Sequence, residues 1–421
     1  MNATERRVLD ALDMDGLVAF LCELVAVRSL DGTPEESAAQ ELVAAQLRRG
    51  GMDVDTWEID FTTLQRHRAF SAEVERPRGL GVVGTLGEDR GGRSLIFNGH
   101  VDVVPAGDLS LWTYDPWRGT VANGNVYGRG ALDMKGGLTC GIFAAKAIRD
   151  AGVRLRGRLM VMPVIGEEDG GCGTLAAVAR GYRADGAVVV EPTEMKVSPA
   201  QAGAMNFRVT VPGASAHGCV REEGVSAIEK FVPVHAALLS LERERNARAR
   251  DPLYARYALP YALSIGTLRS GEWASSVPES LVFEGRYGVA YGEDMGAARV
   301  ELEQAVARAV EADPWLRSNP PVVEWWGGQF APARTAVEHP VVRTVADAFA
   351  DVTGAAAVYE GMTYGADMRL LANEGQTPTV LFGPGDVRNS HRPDEFVPLA
   401  DLEAVARSLA LTALRFCGYE E

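Results

Sequence analysis

Two histidines and a set of carboxylates stand where a chain can do metal chemistry. His100 and Asp102 lie in NGHVDVVP, two residues apart, so on an extended backbone both face the same side. Asp133 lies in YGRGALDMKGG, a glycine-rich turn entering a helix. Glu167 and Glu168 lie in VIGEEDGG, Glu191 in VVVEPTE, and His391 in FGPGDVRNSHRPDEF. Imidazole nitrogen and carboxylate oxygen suit zinc, manganese or cobalt. A ligand set without thiolates points to a catalytic ion rather than a structural one.

Such a site needs elements that gather residues far apart in the chain. Short apolar runs predict strands at Arg68–Val74, Gly81–Leu86, Ser94–Asn98, Leu159–Ile165, Gly186–Val190 and Thr379–Phe382. Helical spacing is read across 16–50, with a capping box from Thr33 to Glu36, and at Gly136–Ala151 and Thr174–Arg180. It returns at Pro340–Thr353, Tyr364–Glu374 and Leu399–Phe416. Strands alternating with helices indicate an α/β domain, here an α/β/α layered one with a mixed sheet. The candidate ligands fall at predicted strand ends or in the loop entering the next helix. That edge is where open α/β sheets form ligand sites.

The pattern changes near residue 204. Asn206–Val211, Tyr261–Leu268 and Leu281–Ala290 alternate, while Val225–Arg248 and Met295–Ala312 are helical. This β-α-β-β-α order predicts a smaller α+β domain over 205–320, inserted into a catalytic domain of 1–204 and 321–421. Pro320–Pro321 and Gly327–Gly328 mark its expected exit.

Composition bounds the function. The chain of 421 residues carries 57 Asp+Glu against 42 Lys+Arg, a net charge of −15. That balance opposes non-specific binding to nucleic acid or to a membrane surface. No apolar run reaches the ~18–20 residues of a membrane span, and the N-terminus lacks the pattern of a signal peptide. The five cysteines (Cys22, Cys140, Cys172, Cys219 and Cys417) are scattered and form no CxxC pair. A reduced, cytoplasmic protein is expected.

Each residue also has a plainer reading. An HxD pair alone is weak, an adjacent Glu pair is usually solvated, and Asp133 alone would cap a helix starting at Met134. His67, His235 and His339 read as ordinary surface or core histidines. Joint occurrence, in this order and at strand ends, is what favours a metal site.

With those residues in view, the chain resembles the co-catalytic zinc aminoacylase and carboxypeptidase family, which includes acetylornithine deacetylases and succinyl-diaminopimelate desuccinylases. HVDVVP, GRGALDMKGG, GEEDGGCGT, EPTE and SAHG, with the late His391, carry the resemblance, which spans about residues 15–415. It implies two divalent ions, zinc by default, with cobalt and manganese as the other candidates. His100 and Glu191 would bind one ion, Glu168 and His391 the other, and Asp133 would bridge them. Glu167 would be the general base that activates a metal-bridging water. Asp102 would orient His100, a common arrangement for metal-bound imidazole. The inserted domain would be a lid and dimerisation domain. Its His217 would stabilise the oxyanion, often in the partner subunit of a homodimer.

The lid departs from the family in one place. Where the family often has an Asn before Val-Pro, GEWASSVPES places Ser275 and Ser276. Arg286 matches the family's lid arginine, which suits a bidentate contact with a substrate carboxylate. Arg369 in YGADMRLL is a second candidate for that contact, with a surface helix arginine as the other reading.

The implied activity is hydrolysis of an N-acyl amino acid or a related small carboxylate-bearing amide. The alternative within the class is a dipeptidase or carboxypeptidase. Two other classes are weighed. Gly171 to Ala176 fits GxGxxA and Glu191 falls about where a ribose-binding acid would be, as in a dinucleotide oxidoreductase. The acids before those glycines would repel a pyrophosphate, and the stretch is not in a first βαβ unit. An inactive metal-dependent binding protein is the third class; the complete set of ligands and base opposes it. Gly213 to His217 nearly forms a GxSxG elbow, but its fifth residue is His. Cys172 and Cys219 lie near the candidate residues, and small buried thiols are the commoner case.

Overall fold

The strand Leu95–His100 is buried at every residue, because its two faces meet different helices. Phe97 packs under Gly141 of the helix Gly136–Asp150. Its neighbour Asn98 points the other way and donates to Thr174 of the helix Cys172–Arg180 at 2.9 Å. A strand covered on both sides reads as a continuous apolar run, as Leu159–Val164 and Gly186–Val189 also do. The computed structural model describes residues 1–248 and 251–420. Among them the larger sheet has six strands, in the order Asp53–Glu58, Leu80–Leu86, Leu159–Val164, Leu95–His100, Gly186–Val189, Thr379–Leu381. The first two pairings are antiparallel and the last three parallel, so the sheet is mixed.

The chain divides into two units. The larger comprises Met1–Ala200, Ala333–Met362 and Ala366 onward; the smaller comprises Gln201–Pro332 with Thr363–Gly365. The smaller unit has a four-stranded antiparallel sheet, ordered Leu263–Ser270, Ser280–Val289, Gly203–Pro212, Val322–Phe330. Gly203–Pro212 alternates buried and half-buried residues over most of its length. Its Phe207 and Val209 join Phe283 and Tyr287 in a core with Leu238 and Leu302 from the two long helices Ala227–Arg248 and Met295–Glu311.

Several expectations are corrected. The segment Val322–Phe330 was expected beyond the inserted domain, but it pairs with Gly203–Pro212 as an edge of the smaller sheet. Gly327 and Gly328 fall at the register shift between Trp325 and Gln329. Arg68–Val74 is not a strand: the N–H groups of Glu73 and Val74 both go to Asp169 Oδ2 at 3.1 Å, not to a ladder. Tyr364–Glu374 is helical only in its second half, which ends in the π-helix Leu370–Glu374. The capping box does not form, because Glu36 accepts from Gly32 and is drawn to Arg76, while the Thr33 hydroxyl donates to Leu30.

Candidate metal centre

Parallel strands end on one edge of the sheet, and that edge collects the site. His100 is the last residue of its strand. Glu167 and Glu168 follow Leu159–Val164, and Glu191 follows Gly186–Val189. His391 stands in the loop beyond Thr379–Leu381, at φ +58°, a left-handed conformation uncommon outside glycine. Gly170, at φ +148°, lets the loop after Glu168 press onto Ser71, whose carbonyl would lie 2.1 Å from a Cβ there.

Asp133 stands at the centre. Its Oδ1 lies 3.3 Å from His100 Nε2, and its Oδ2 lies 3.4 Å from His391 Nε2. Glu191 Oε1 is 4.0 Å from the same His100 nitrogen, and Glu168 Oε1 is 3.0 Å from the same His391 nitrogen. Two groups of donors result, His100–Asp133–Glu191 and Asp133–Glu168–His391, each with its ligand atoms within 4.8 Å of one another. A third acidic group, Asp31, Glu36 and Asp102, adjoins a cation of the protein: Arg76 pairs with Asp31 at 2.7 Å and with Glu36 at 2.9 Å.

The electrostatics favour added positive charge. Five carboxylates (Asp102, Asp133, Glu167, Glu168 and Glu191) face two imidazoles in a largely buried place. Burial, then the neighbouring Glu191, raises the Glu167 carboxyl well above its ordinary range. Burial, then Asp133, does the same to Glu191. For His391 burial opposes the charge, but Glu168 and Asp133 outweigh it and lift the imidazole to about 11. His100 is raised likewise, against its burial, by Asp102, Asp133 and Glu191. Asp133 is held low despite burial, because both imidazoles donate to it.

Glu167 is 6% exposed, and its Oε1 accepts no hydrogen bond among the described residues. A buried acceptor without a hydrogen-bond partner among the described residues suits a group that receives a proton from water. The donor set fits divalent cations: all oxygen and imidazole nitrogen, negative overall, and grouped around a shared carboxylate. A bound divalent ion supplies a Lewis acid for an amide carbonyl and acidifies a water ligand.

Asp102 differs from expectation. Its carboxylate Oδ1 is 3.8 Å from His100 Nδ1, beyond hydrogen-bond reach. The Asp102 main-chain carbonyl takes that nitrogen's proton at 2.9 Å, and the carboxylate Oδ2 accepts the N–H of Glu168 at 3.0 Å. Asp133 does not cap a helix at Met134; the regular helix starts at Gly136.

In the smaller unit, His217 pairs across two short strands with Ser276, and Gly218 N donates to the Ser275 carbonyl at 2.7 Å. His217 Nδ1 accepts from Cys219 N at 3.1 Å, so the neutral ring carries its proton on Nε2. His217, Ser275 and Ser276 are all exposed. Arg286 is half-buried on Ser280–Val289 and donates to the Thr363 carbonyl at 2.8 Å. Arg369 is placed differently from expectation: 3% exposed, it donates to the Gly170 carbonyl at 2.6 Å, bracing the loop that carries Glu167.

Two supporting cations escaped the sequence reading. Arg76 joins Asp169 at 2.8 Å to Asp31 and Glu36, behind the Glu167–Glu168 loop. Arg129 pairs with Glu395, which contacts the Asp133 turn. Each pairing spans a sequence distance no local pattern reports.

The fold and this constellation define a metal-dependent hydrolase of amide bonds. Residues 96–415 match the profile of peptidase family M20/M25/M40, and the chain belongs to that family. It is 29% identical over 399 residues to the N-formyl-4-amino-5-aminomethyl-2-methylpyrimidine deformylase of Bacillus subtilis (strain 168), covering 90% of this chain and 89% of that one. It is 30% identical over 396 residues to the succinyl-diaminopimelate desuccinylase of Methylorubrum extorquens (strain PA1), with coverage of 90% and 93%. Human carnosine dipeptidase 1 shares the fold, with a TM-score of 0.77, 17% identity and 99% of each chain covered.

Proposed function

We propose that this protein is a cytoplasmic di-metal deacylase that hydrolyses the amide of an N-acyl amino acid or similar small carboxylate-bearing compound. His100 and Glu191 hold one ion, Glu168 and His391 the other, and Asp133 is shared. Zinc is the default, with cobalt and manganese as alternatives. The observation that carries this reading is Asp133, which turns one oxygen to each imidazole. Glu167 takes the proton of the attacking water and passes it to the leaving amine. His217 offers its Nε2–H to the oxyanion, and Arg286, Ser275 and Ser276 contact the substrate.

The relatives named above include two that remove an acyl group, a formyl and a succinyl, which supports deacylation over dipeptide cleavage. A homodimer through the smaller unit is part of the proposal. Its strand Leu263–Ser270 is an exposed sheet edge, and Ile228 and Val232 form an exposed apolar stripe on the helix Ala227–Arg248. Uncovered edges and apolar stripes of this kind are what a second copy would bury.

The test is metal content by elemental analysis, with amine release measured on the same sample from N-formyl, N-acetyl and N-succinyl amino acids and from dipeptides. About two ions per chain with chelator-sensitive deacylation supports the reading. Two ions with cleavage of dipeptides alone selects the dipeptidase alternative, and no metal after reconstitution overturns both.

A further inference from the structure

One buried ion pair touches three of the segments that deliver the candidate ligands. Glu395 is wholly buried and Arg129 nearly so, and Arg129 Nη1 donates to Glu395 Oε2. The other carboxylate oxygen accepts the main-chain N–H groups of Leu132 at 3.1 Å and of Asp133 at 3.2 Å. The Glu395 carbonyl accepts from Gly128 N at 2.9 Å. Arg129 Nη2 donates to the Pro105 carbonyl at 3.2 Å, in the chain just past His100 and Asp102. Its guanidinium lies 5.4 Å from the ring of Trp112, whose Nε1 donates to the Ala106 carbonyl at 2.9 Å. Glu395 itself closes the loop that carries His391, and the next residue, Phe396, pairs with Tyr127.

We propose that Glu395 and Arg129 are positioning residues that hold the Asp133 turn so that its carboxylate can serve two metal ions at once. The inference rests on the reading of this site as a metal centre. A buried ion pair adds little net stability over apolar side chains of similar volume, so stability alone does not account for one here. What it provides is a charged acceptor for two main-chain N–H groups, a strong and directional contact. Asp133 must present one oxygen to each imidazole, and a rotated backbone would lose one of them. Arg129 keeps the Glu395 charge in place and carries the same constraint to the segment after His100. The chain thereby couples the two candidate ion sites through main-chain hydrogen bonds as well as through the shared carboxylate.

The test compares the wild-type protein with Glu395→Gln and with the double variant Arg129→Met/Glu395→Leu, which keeps the volume but removes the acceptor. Zinc occupancy is followed in chelator-buffered zinc, the cobalt-substituted proteins are compared by visible absorption, and melting is recorded with and without zinc. Both variants are expected to bind zinc about 10–100-fold more weakly, with an altered cobalt spectrum and a smaller zinc-induced rise in Tm. A merely structural role would lower both melting temperatures together, leaving the zinc-induced rise and cobalt spectrum intact in Glu395→Gln. That result overturns the proposal, as does a wild-type zinc curve in a cooperatively folded double variant. Absence of zinc binding by the wild-type protein overturns the metal-centre reading and this inference with it.

Discussion

Asp102 Oδ2 accepts the main-chain N–H of Glu168 at 3.0 Å, while the Asp102 carbonyl, not its carboxylate, takes the Nδ1 proton of His100 at 2.9 Å. One residue therefore orients a candidate ligand of each ion, one through its backbone and one through its side chain. Asp102→Ala leaves the part-buried N–H of Glu168 without its acceptor. Activity is expected to fall about 10–100-fold, the usual effect of removing a group that orients metal ligands. Metal analysis should show the loss at the Glu168–His391 site. Selective loss of the ion at His100 would contradict this geometry.

Glu167→Gln is expected to lower kcat about 10²–10⁴-fold, the range for a general base, with metal content unchanged. The side chain keeps its size but can no longer accept a proton. Wild-type turnover in this variant would remove Glu167 from the base role.

The pH profile follows from the burial of Glu167. Burial raises its pKa, so the carboxylate is the form lost as pH falls, and it is lost earlier than for an ordinary Glu. Bound cations would oppose that shift, so the acid limb of kcat/KM is expected to report Glu167 passing from carboxylate to acid as pH falls. A rate that stays level down to pH 4 would contradict the assignment.

Metal affinity should rise with pH. In the protein's own field the His391 imidazole is lifted to about 11, against its burial, by Glu168 and Asp133, and His100 is raised too. A metal needs the neutral ring, so protons compete and binding releases them. Calorimetry in buffers of different ionisation enthalpy should record proton release, and zinc affinity should weaken as pH drops. No proton release would contradict the assigned imidazole ligands.

Chelation should lower stability. Removing cations leaves the carboxylates around Asp133 facing one another, and ligand linkage gives about 2.7 kcal/mol for an ion present at 100 times its Kd. The Tm should fall on dialysis against chelator and return with zinc. An unchanged Tm would mean that the site holds no tightly bound ion.

His217→Ala and Glu167→Gln should each be nearly inactive alone. If His217 serves the partner subunit, mixed dimers contain one intact site and should recover part of the activity. No recovery, with subunit exchange confirmed by mass, would place His217 in its own chain's site.

Much of the candidate site was legible because its residues end buried strands. Runs such as LIFNGH and LMVMPV are apolar on both faces, so local composition marks them, and polar residues at their ends stand out. Asp53–Glu58 was missed for the opposite reason: DVDTWE is an exposed edge strand with charged residues and no apolar run. The Val322–Phe330 edge was hidden by flanking prolines and its internal glycines, which read as an exit from the domain.

The amino-acid sequence by itself determined which side chains could hold metal, where the strands that carry them end, and that a second α+β unit interrupts the first. Those are local properties of composition and period. Only the tertiary structure decided that Asp133 faces both imidazoles, that Asp102 serves Glu168 through its carboxylate, and that Arg369 braces a loop. Only it paired Arg129 with Glu395 across 266 residues. Such pairings depend on which buried donors and acceptors meet when the chain is packed, and buried polar groups must find partners wherever the fold brings them.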